Sequence, residues 1–351
     1  MTRFQTLVLG ASGYVGGECL RLVHGHPGLT LEAAVSESKA GATVGSLFPH
    51  LGSSMNARFR APSEIPSILD GAKGTVAVLS AASHGASAPL IAELLSAAEK
   101  KGVDVRVVDL SADFRYRDAS IYEAVYRNGH GAPSLLPLFD CGVPEHVAAT
   151  PRHAAHPGCF ATSVLLAAVP LLKLGIVESE LFVVGITGST GSGREPRDTT
   201  HHPERHSNLF AYQPLVHRHL PEMTELAEKA SGLRPAIHFV PHSGPFARGI
   251  HTTIQGKLRA PLDSEAIRSE LARFYADSPL VRVVPGTPRL KDVAGSSFAH
   301  LGVAAEGDSV AVFSVLDNLL KGAAGGGVQW LNRMLGLPES MGLTQAAPGW
   351  I

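Results

Sequence analysis

The residue with the most chemical potential in this chain is Cys159. It lies in His156-Pro157-Gly158-Cys159-Phe160-Ala161-Thr162, directly before the apolar run from Val164 to Leu174. The Pro-Gly pair ends the preceding element and the run reads as a buried helix, which puts the thiol on the helix's first turn. Unpaired N–H groups and the positive end of the helix dipole favour a thiolate there, and a cysteine so placed is acidified and nucleophilic. The competing reading is a small buried core residue, the usual state of a free cysteine. Val216-His217-Arg218-His219-Leu220-Pro221-Glu222 precedes a helix-like stretch from Glu222 to Ala230. Two imidazoles and a guanidinium there could supply a general acid/base and an anion clamp, or could be capping and surface residues. Ser189-Thr190-Gly191-Ser192-Gly193-Arg194 has the small residues and the arginine of an anion-binding nest, without the GK[ST] of a nucleotide P-loop or the GxSxG of a serine hydrolase. Arg115 closes Leu110-Ser111-Ala112-Asp113-Phe114-Arg115, at the carboxyl edge of a strand where open α/β sheets bind ligands. Its other reading is a salt bridge with Asp113 or Asp118. His201, His202, His206, His217 and His219 lack an HExxH spacing or a matching cysteine pair, so no metal is expected.

A second constellation stands near the N-terminus. The strand-like Thr6 to Leu9 runs into Gly10-Ala11-Ser12-Gly13-Tyr14-Val15-Gly16-Gly17, and Glu18 to His24 reads as helix. Glycines between a strand and a helix allow a tight turn and let a pyrophosphate approach backbone N–H groups. The spacing is GxxGxxG rather than the commoner GxGxxG, so position supports the reading more than pattern does. After the second strand, Thr30 to Val35, come Ser36-Glu37-Ser38-Lys39. Ser36, Ser38 and Lys39 suit a 2′-phosphate, whereas Glu37 suits a free ribose hydroxyl; the balance favours NADP(H).

The elements that must position these groups fall into two halves. Thr75–Leu79 and Val103–Leu110 read as further strands, with Ala86–Lys101 as helix between them, an alternation that implies a parallel, doubly wound Rossmann-type sheet. Asn128 to Pro157 reads as connection rather than core. Beyond the cysteine helix the rhythm changes. Strands are expected at Leu181–Thr187, Ala236–Val240, Ile250–Arg259, Val281–Val284, Phe298–Ala304 and Val310–Val315, and helices at Glu265–Ala276 and Val328–Leu335. This is an α+β domain on a mixed, largely antiparallel sheet. The polar stretch Gly188 to His219 is long for a compact domain, which marks it as functional. The expected division is a dinucleotide-binding domain over 1–156, completed by 318–351, and a catalytic and oligomerisation domain over 157–317. With 351 residues, 44% hydrophobic and 17% charged, the chain is globular with two cores. A net charge of −1 gives no electrostatic case for nucleic acid or an anionic membrane. Three cysteines form no disulfide framework, MTRFQTLVLG has no signal-peptide core, and no apolar run reaches the ~20 residues of a membrane helix. A cytoplasmic setting is expected.

Taken in order, GASGYVGG (10–17), LSADFR (110–115), GVPE (142–145), PGCFAT (157–162), the Gly188–Arg194 loop, HRHLPE (217–222), Arg248-Gly249-Ile250 and DNLLKG (317–322) resemble the N-acetyl-γ-glutamyl-phosphate reductase family of arginine biosynthesis, within the wider aspartate-semialdehyde dehydrogenase class. The resemblance spans nearly the whole chain. It implies NADPH-dependent reductive dephosphorylation of an acyl phosphate through a thioester on Cys159, with His219 or His217 moving the proton and His219 preferred. It implies cofactor contacts from Gly10, Ser12, Gly13, Tyr14, Val15, Gly16, Ser36, Ser38, Lys39, Gly191 and Asn318, the last holding the nicotinamide carboxamide or capping the terminal helix. Arg115, Ser111, Ser189, Arg194 and Glu222 are the candidates for phosphate or substrate carboxylate. It also implies a homodimer or homotetramer. Phe160-Ala161 replace the family's usual Tyr-Pro, and Ser83 its usual Pro. The stretch His201 to Arg205 is more similar to reductases of carrier-protein-bound aminoadipyl phosphate, so a carrier-bound acyl phosphate is the alternative substrate; Arg197, Arg205 and Arg218 would then form a basic patch at the entrance.

Overall fold

A computed structural model describes residues 3–350, and these divide into two compact units. The first comprises residues up to Gly142, with Ala149–His156 and Ala323–Leu343; the second comprises Val143–Ala148, Pro157–Gly322 and the C-terminal stretch from Thr344.

The first unit is built on seven strands: β1 (Phe4–Leu9), β2 (Leu29–Val35), β3 (Phe59–Arg60), β4 (Val76–Ser80), β5 (Val105–Asp109), β6 (Phe139–Cys141) and β7 (His153–Ala155). They lie in the order β3-β2-β1-β4-β5-β7-β6, and every pairing is parallel. Parallel strands covered on both faces need continuous apolar runs, and β4 is buried at all five positions. The chain builds outward from β1 to β3, then returns to β4 on β1's other side. The switch point, where ligands of open α/β sheets bind, therefore lies at the carboxyl ends of β1 and β4. The stretch 128–157 departs from expectation, since it supplies β6 and β7 rather than connection alone. Each is three residues long, too short to stand out as a periodic run. The helix Gly325–Met334 belongs to this unit, with Trp330 Nε1 donating to the Gly142 carbonyl at 3.1 Å.

The second unit carries β8 (Val177–Thr187), β9 (Phe210–Ala211), β10 (Ala236–Ser243), β11 (Ile250–Leu258), β12 (Val281–Val283), β13 (Ala299–Glu306) and β14 (Ser309–Leu316), in the order β12-β13-β14-β11-β8-β10-β9. β8/β10 and β12/β13 pair in parallel, and the other neighbours are antiparallel. One face of this sheet packs on helices, chief among them Cys159–Lys173, buried from Phe160 to Leu172. A hydroxyl cluster joins them, with Ser163 Oγ 2.8 Å from Thr252 Oγ1 and 3.1 Å from Ser314 Oγ. Pro170 inside this helix has no N–H, which leaves the Leu166 carbonyl without its usual donor. The buried Tyr275 hydroxyl supplies one at 2.6 Å. The other face of the sheet is open: Phe182 is 51% and Val184 44% exposed on β8. No helix among the described residues is long and apolar enough to cross a membrane.

Candidate active site

The helix Cys159–Lys173 begins at the cysteine itself, with Gly158 as its N-cap. The thiol thus sits on the first residue of a buried helix, where the dipole stabilises negative charge. Cys159 is half-buried and forms no disulfide. Glycine offers no side chain to cap a helix, and Glu222 takes over at this end. Its Oε1 accepts the Gly158 N–H at 2.6 Å from a side chain only 1% exposed. Glu222, expected among substrate contacts, is therefore bonded to the backbone that presents the thiol, and it lies outside the lining of the cysteine cavity.

That cavity measures about 310 Å³ and is lined by Cys159, His217, His219, Tyr212, Arg197 and Arg218, together with the Thr187–Ser192 turn. His217 is boxed by rings: Phe160 at 5.8 Å, Tyr212 at 5.6 Å, Phe239 at 5.5 Å and His219 at 4.8 Å between centroids. Gly185 makes the box fit, because a Cβ there would come 2.4 Å from the Phe160 ring. Burial, with the Arg218 charge beside it, pushes the His217 pKa down to about 4, so the imidazole is neutral near pH 7. Its Nδ1 accepts the His219 N–H at 3.2 Å, which puts the His217 proton on Nε2. His219 also caps the helix Leu220–Ser231, so its backbone is set by a helix end and by the His217 bond. Burial and the neighbouring Cys159 raise the Tyr212 pKa well above its usual value, leaving a hydroxyl that stays protonated.

The turn Ser189–Ser192 is clipped in place by main chain: Ser189 N donates to Phe246 O at 2.9 Å and Thr190 N to Ala247 O at 3.1 Å. Asn318 fastens both sides, its Oδ1 accepting from Gly249 N at 2.7 Å and its Nδ2 donating to Thr190 Oγ1 at 3.0 Å. Asp317 holds Arg248 through two bonds, 2.9 and 3.1 Å long, and also accepts from Gly295 N, Leu319 N and Leu320 N. Ser189 and Gly191 line the cavity, whereas Arg194 is exposed and outside it. Arg197 and Arg218 are the cations that do line it. Arg205, expected at an entrance patch, is instead buried, with Nη1 donating to Asn208 O at 3.3 Å.

In the first unit, Gly10 ends β1 at φ +65°, and a Cβ on it would lie 2.4 Å from Ala82 N, just past β4. Gly10 therefore stands at the switch point. Gly16 lets the helix Tyr14–His24 pack on the loop, since its Cβ would lie 2.6 Å from Gly10 O. At Gly13 the space is open, with nothing nearer than 3.9 Å. An open glycine at a helix N-terminus fits a pyrophosphate. Ser12 and Ser36 join the loop to the end of β2 through a 2.9 Å hydroxyl bond, while Ser38 and Lys39 are exposed and Tyr14 is 37% exposed. Val15 lies in the helix's first turn. At the end of β5, Arg115 is 6% exposed; its Nε donates to His156 O and its Nη2 to Leu110 O, both at 3.1 Å. The Ser111 hydroxyl donates to Asp109 at 2.7 Å and accepts from Asp113 N at 3.0 Å. Burial, then the Asp113 charge, raises the Asp109 pKa to about 6.

No group of three or more His, Cys, Asp or Glu side chains among the described residues could hold a metal ion. A larger concavity, about 760 Å³, lies on the open sheet face of the second unit and is lined by neither cysteine nor histidine.

A Rossmann-type sheet with a glycine turn at its switch point, joined in sequence to an α+β unit with a cysteine at a helix N-terminus, is the architecture of the semialdehyde dehydrogenase class. Two family models match: semialdehyde dehydrogenase, NAD binding domain, over residues 5–145, and semialdehyde dehydrogenase, dimerisation domain, over residues 159–318. The fold is shared with aspartate semialdehyde dehydrogenase II from Vibrio cholerae, at a TM-score of 0.69 and 17% identity over 96% of this chain and 99% of that one. The enzyme from Candida albicans, solved with NADP, gives a TM-score of 0.64 at 15% identity over 97% and 100%. Within that class the chain belongs to the N-acetyl-γ-glutamyl-phosphate reductase family. Members from Rhodospirillum rubrum and Methanosarcina mazei are each 37% identical to it, covering 98% and 97% of both chains respectively.

Proposed function

We propose that this protein reduces N-acetyl-γ-glutamyl phosphate to N-acetyl-glutamate 5-semialdehyde, with release of phosphate, at the expense of NADPH, as a step of arginine biosynthesis. The observation that carries the reading is Cys159 on the first residue of its helix, sharing one cavity with His219 and a neutral His217. Family membership supports it independently.

The Cys159 sulfur attacks the acyl carbon and the carbon–phosphate-oxygen bond breaks, so phosphate leaves and a thioester remains. His219 lends a proton to the tetrahedral oxyanion and takes it back as the carbon–sulfur bond breaks, so the aldehyde leaves and the Cys159 thiolate is regenerated. His217, kept neutral by burial, orients His219 through the 3.2 Å bond to its backbone N–H. Arg197 and Arg218 hold the substrate's anionic groups, with the Ser189 side chain beside them. Gly10, Gly13 and Gly16 with the first turn of Tyr14–His24 would hold the cofactor's pyrophosphate. Ser36, Ser38 and Lys39 would face its 2′-phosphate, and Gly191 and Asn318 would frame the nicotinamide. When bound, the cofactor supplies the hydride. The open sheet face around Phe182 and Val184 is covered by a second copy of the chain, in keeping with the dimerisation-domain match.

The test is NADPH oxidation with N-acetyl-γ-glutamyl phosphate, and the reverse reaction from semialdehyde and phosphate. Turnover of the acetylated substrate is expected. Turnover confined to a carrier-linked acyl phosphate would overturn the substrate assignment, and full activity in Cys159→Ala would overturn the thioester.

A further inference from the structure

Two residues of the sequence motifs GVPE and DNLLKG meet in the second unit, outside the cavity lining. Glu145 of the first and Lys321 of the second form an ion pair with side-chain exposures of 1% and 0%. Removing two charges from water is expensive, and such a pair is weak evidence for stability; register and position are its better attested uses. Here the pair sits on an unusual backbone. Leu320–Ala324 is a π-helical turn, in which Gly322 N donates to Asp317 O at 3.0 Å. Turns of this kind are rare and recur at functional sites. Asp317 braces the start of the turn through Arg248, Gly295, Leu319 and Leu320, and Lys321 anchors its middle.

What the turn presents is Gly322. A Cβ on it would lie 2.8 Å from the Cys159 Cβ and 3.2 Å from the Cys159 Cα. Real Cβ atoms essentially never approach that closely, so the bare backbone of Gly322 is the wall against which the reactive residue rests. We propose that Glu145 and Lys321 are positioning residues: their buried pair locks the π-turn so that Gly322 fixes the rotamer and height of Cys159. The proposal rests on the reading of Cys159 as nucleophile and adds to it which distant groups aim the thiol.

Gly322→Ala, Lys321→Met, Glu145→Gln and the double variant Glu145→Gln/Lys321→Met are compared with wild type for kcat, KM, folding by circular dichroism, and the pH profile of Cys159 alkylation by iodoacetamide. Gly322→Ala is expected to lower kcat about 10²-fold with KM within about twofold, since a misplacement near 1 Å costs that much, and to shift the alkylation profile. The double variant carries no lone buried charge, so it keeps its fold where a single variant fails, and is expected to show the same loss of kcat. A folded Gly322→Ala or double variant with wild-type kcat and a superimposable alkylation profile overturns the proposal. So does fast amide exchange of Leu320–Ala324 in the wild-type protein. A wild-type enzyme without acyl-phosphate reductase activity would instead fail the functional reading beneath it.

Discussion

Glycine does opposite work at the two sites. In the dinucleotide loop, Gly13 leaves a space whose nearest neighbour is 3.9 Å from where a Cβ would be. At the cysteine, Gly322 leaves none, with 2.8 Å to the Cys159 Cβ. One glycine leaves room beside it and the other is closed on by a neighbour. A cofactor loop must accept a group that comes and goes, and it does so with backbone N–H groups set by local spacing. At the cysteine the contact is fixed instead: Gly322 closes on Cys159 from a turn whose Lys321 pairs with the buried Glu145.

The largest expected effect breaks the comparison on the cysteine side. Cys159→Ala should lower kcat by more than about 10⁴-fold, as losing a nucleophile does, while NADPH binding by fluorescence titration stays intact; lost binding would mean that the sites are not separable. His219→Asn should cost about 10²- to 10⁴-fold in kcat, the range for a general acid or base. His217→Gln should cost less, and a larger loss in it than in His219→Asn would reverse their roles. Acid stability provides a third contrast. Burial pushes His217 in the second unit and His153 in the first to a pKa of about 4. Each is protonated more readily unfolded, near pH 6.5, so the stability it contributes is complete above about pH 6.5 and is lost as pH falls toward 4. The loss is roughly 2–3 kcal/mol per histidine. Denaturation midpoints at pH 7.5 and 4.5 should converge in His217→Gln and in His153→Gln, and unchanged acid sensitivity in both would refute that cause. The smallest effect belongs to Gly13→Ala, which should shift stability by less than about 1 kcal/mol yet raise the NADPH Kd. An unchanged Kd would place the pyrophosphate elsewhere.

The glycine turn, the cysteine helix and the long strands were legible because each is announced by neighbours in sequence: Gly10 to Gly16 after β1, Pro157-Gly158 before the thiol. β6 and β7 were not, because three residues carry no period. Glu222 reads as a candidate substrate contact and Lys321 only as part of the DNLLKG motif, and only the fold reveals partners 64 and 176 positions away at Gly158 and Glu145. Arg194 was the arginine nearest the small-residue loop, but the turn ends before it, and Arg197 reaches the cavity instead.

The proline in the cysteine helix reaches further than the bond it removes. Tyr275 has one hydroxyl hydrogen, and Pro170 commits it to the Leu166 carbonyl. The 2.9 Å contact between Tyr275 Oη and His146 Nε2 must then be donated by the imidazole. A proline 24 positions along the chain thus selects the ring tautomer of His146, the residue after Glu145. Nitrogen-15 chemical shifts should report a protonated Nε2 there, and Pro170→Ala, by returning an amide to Leu166, should release the choice.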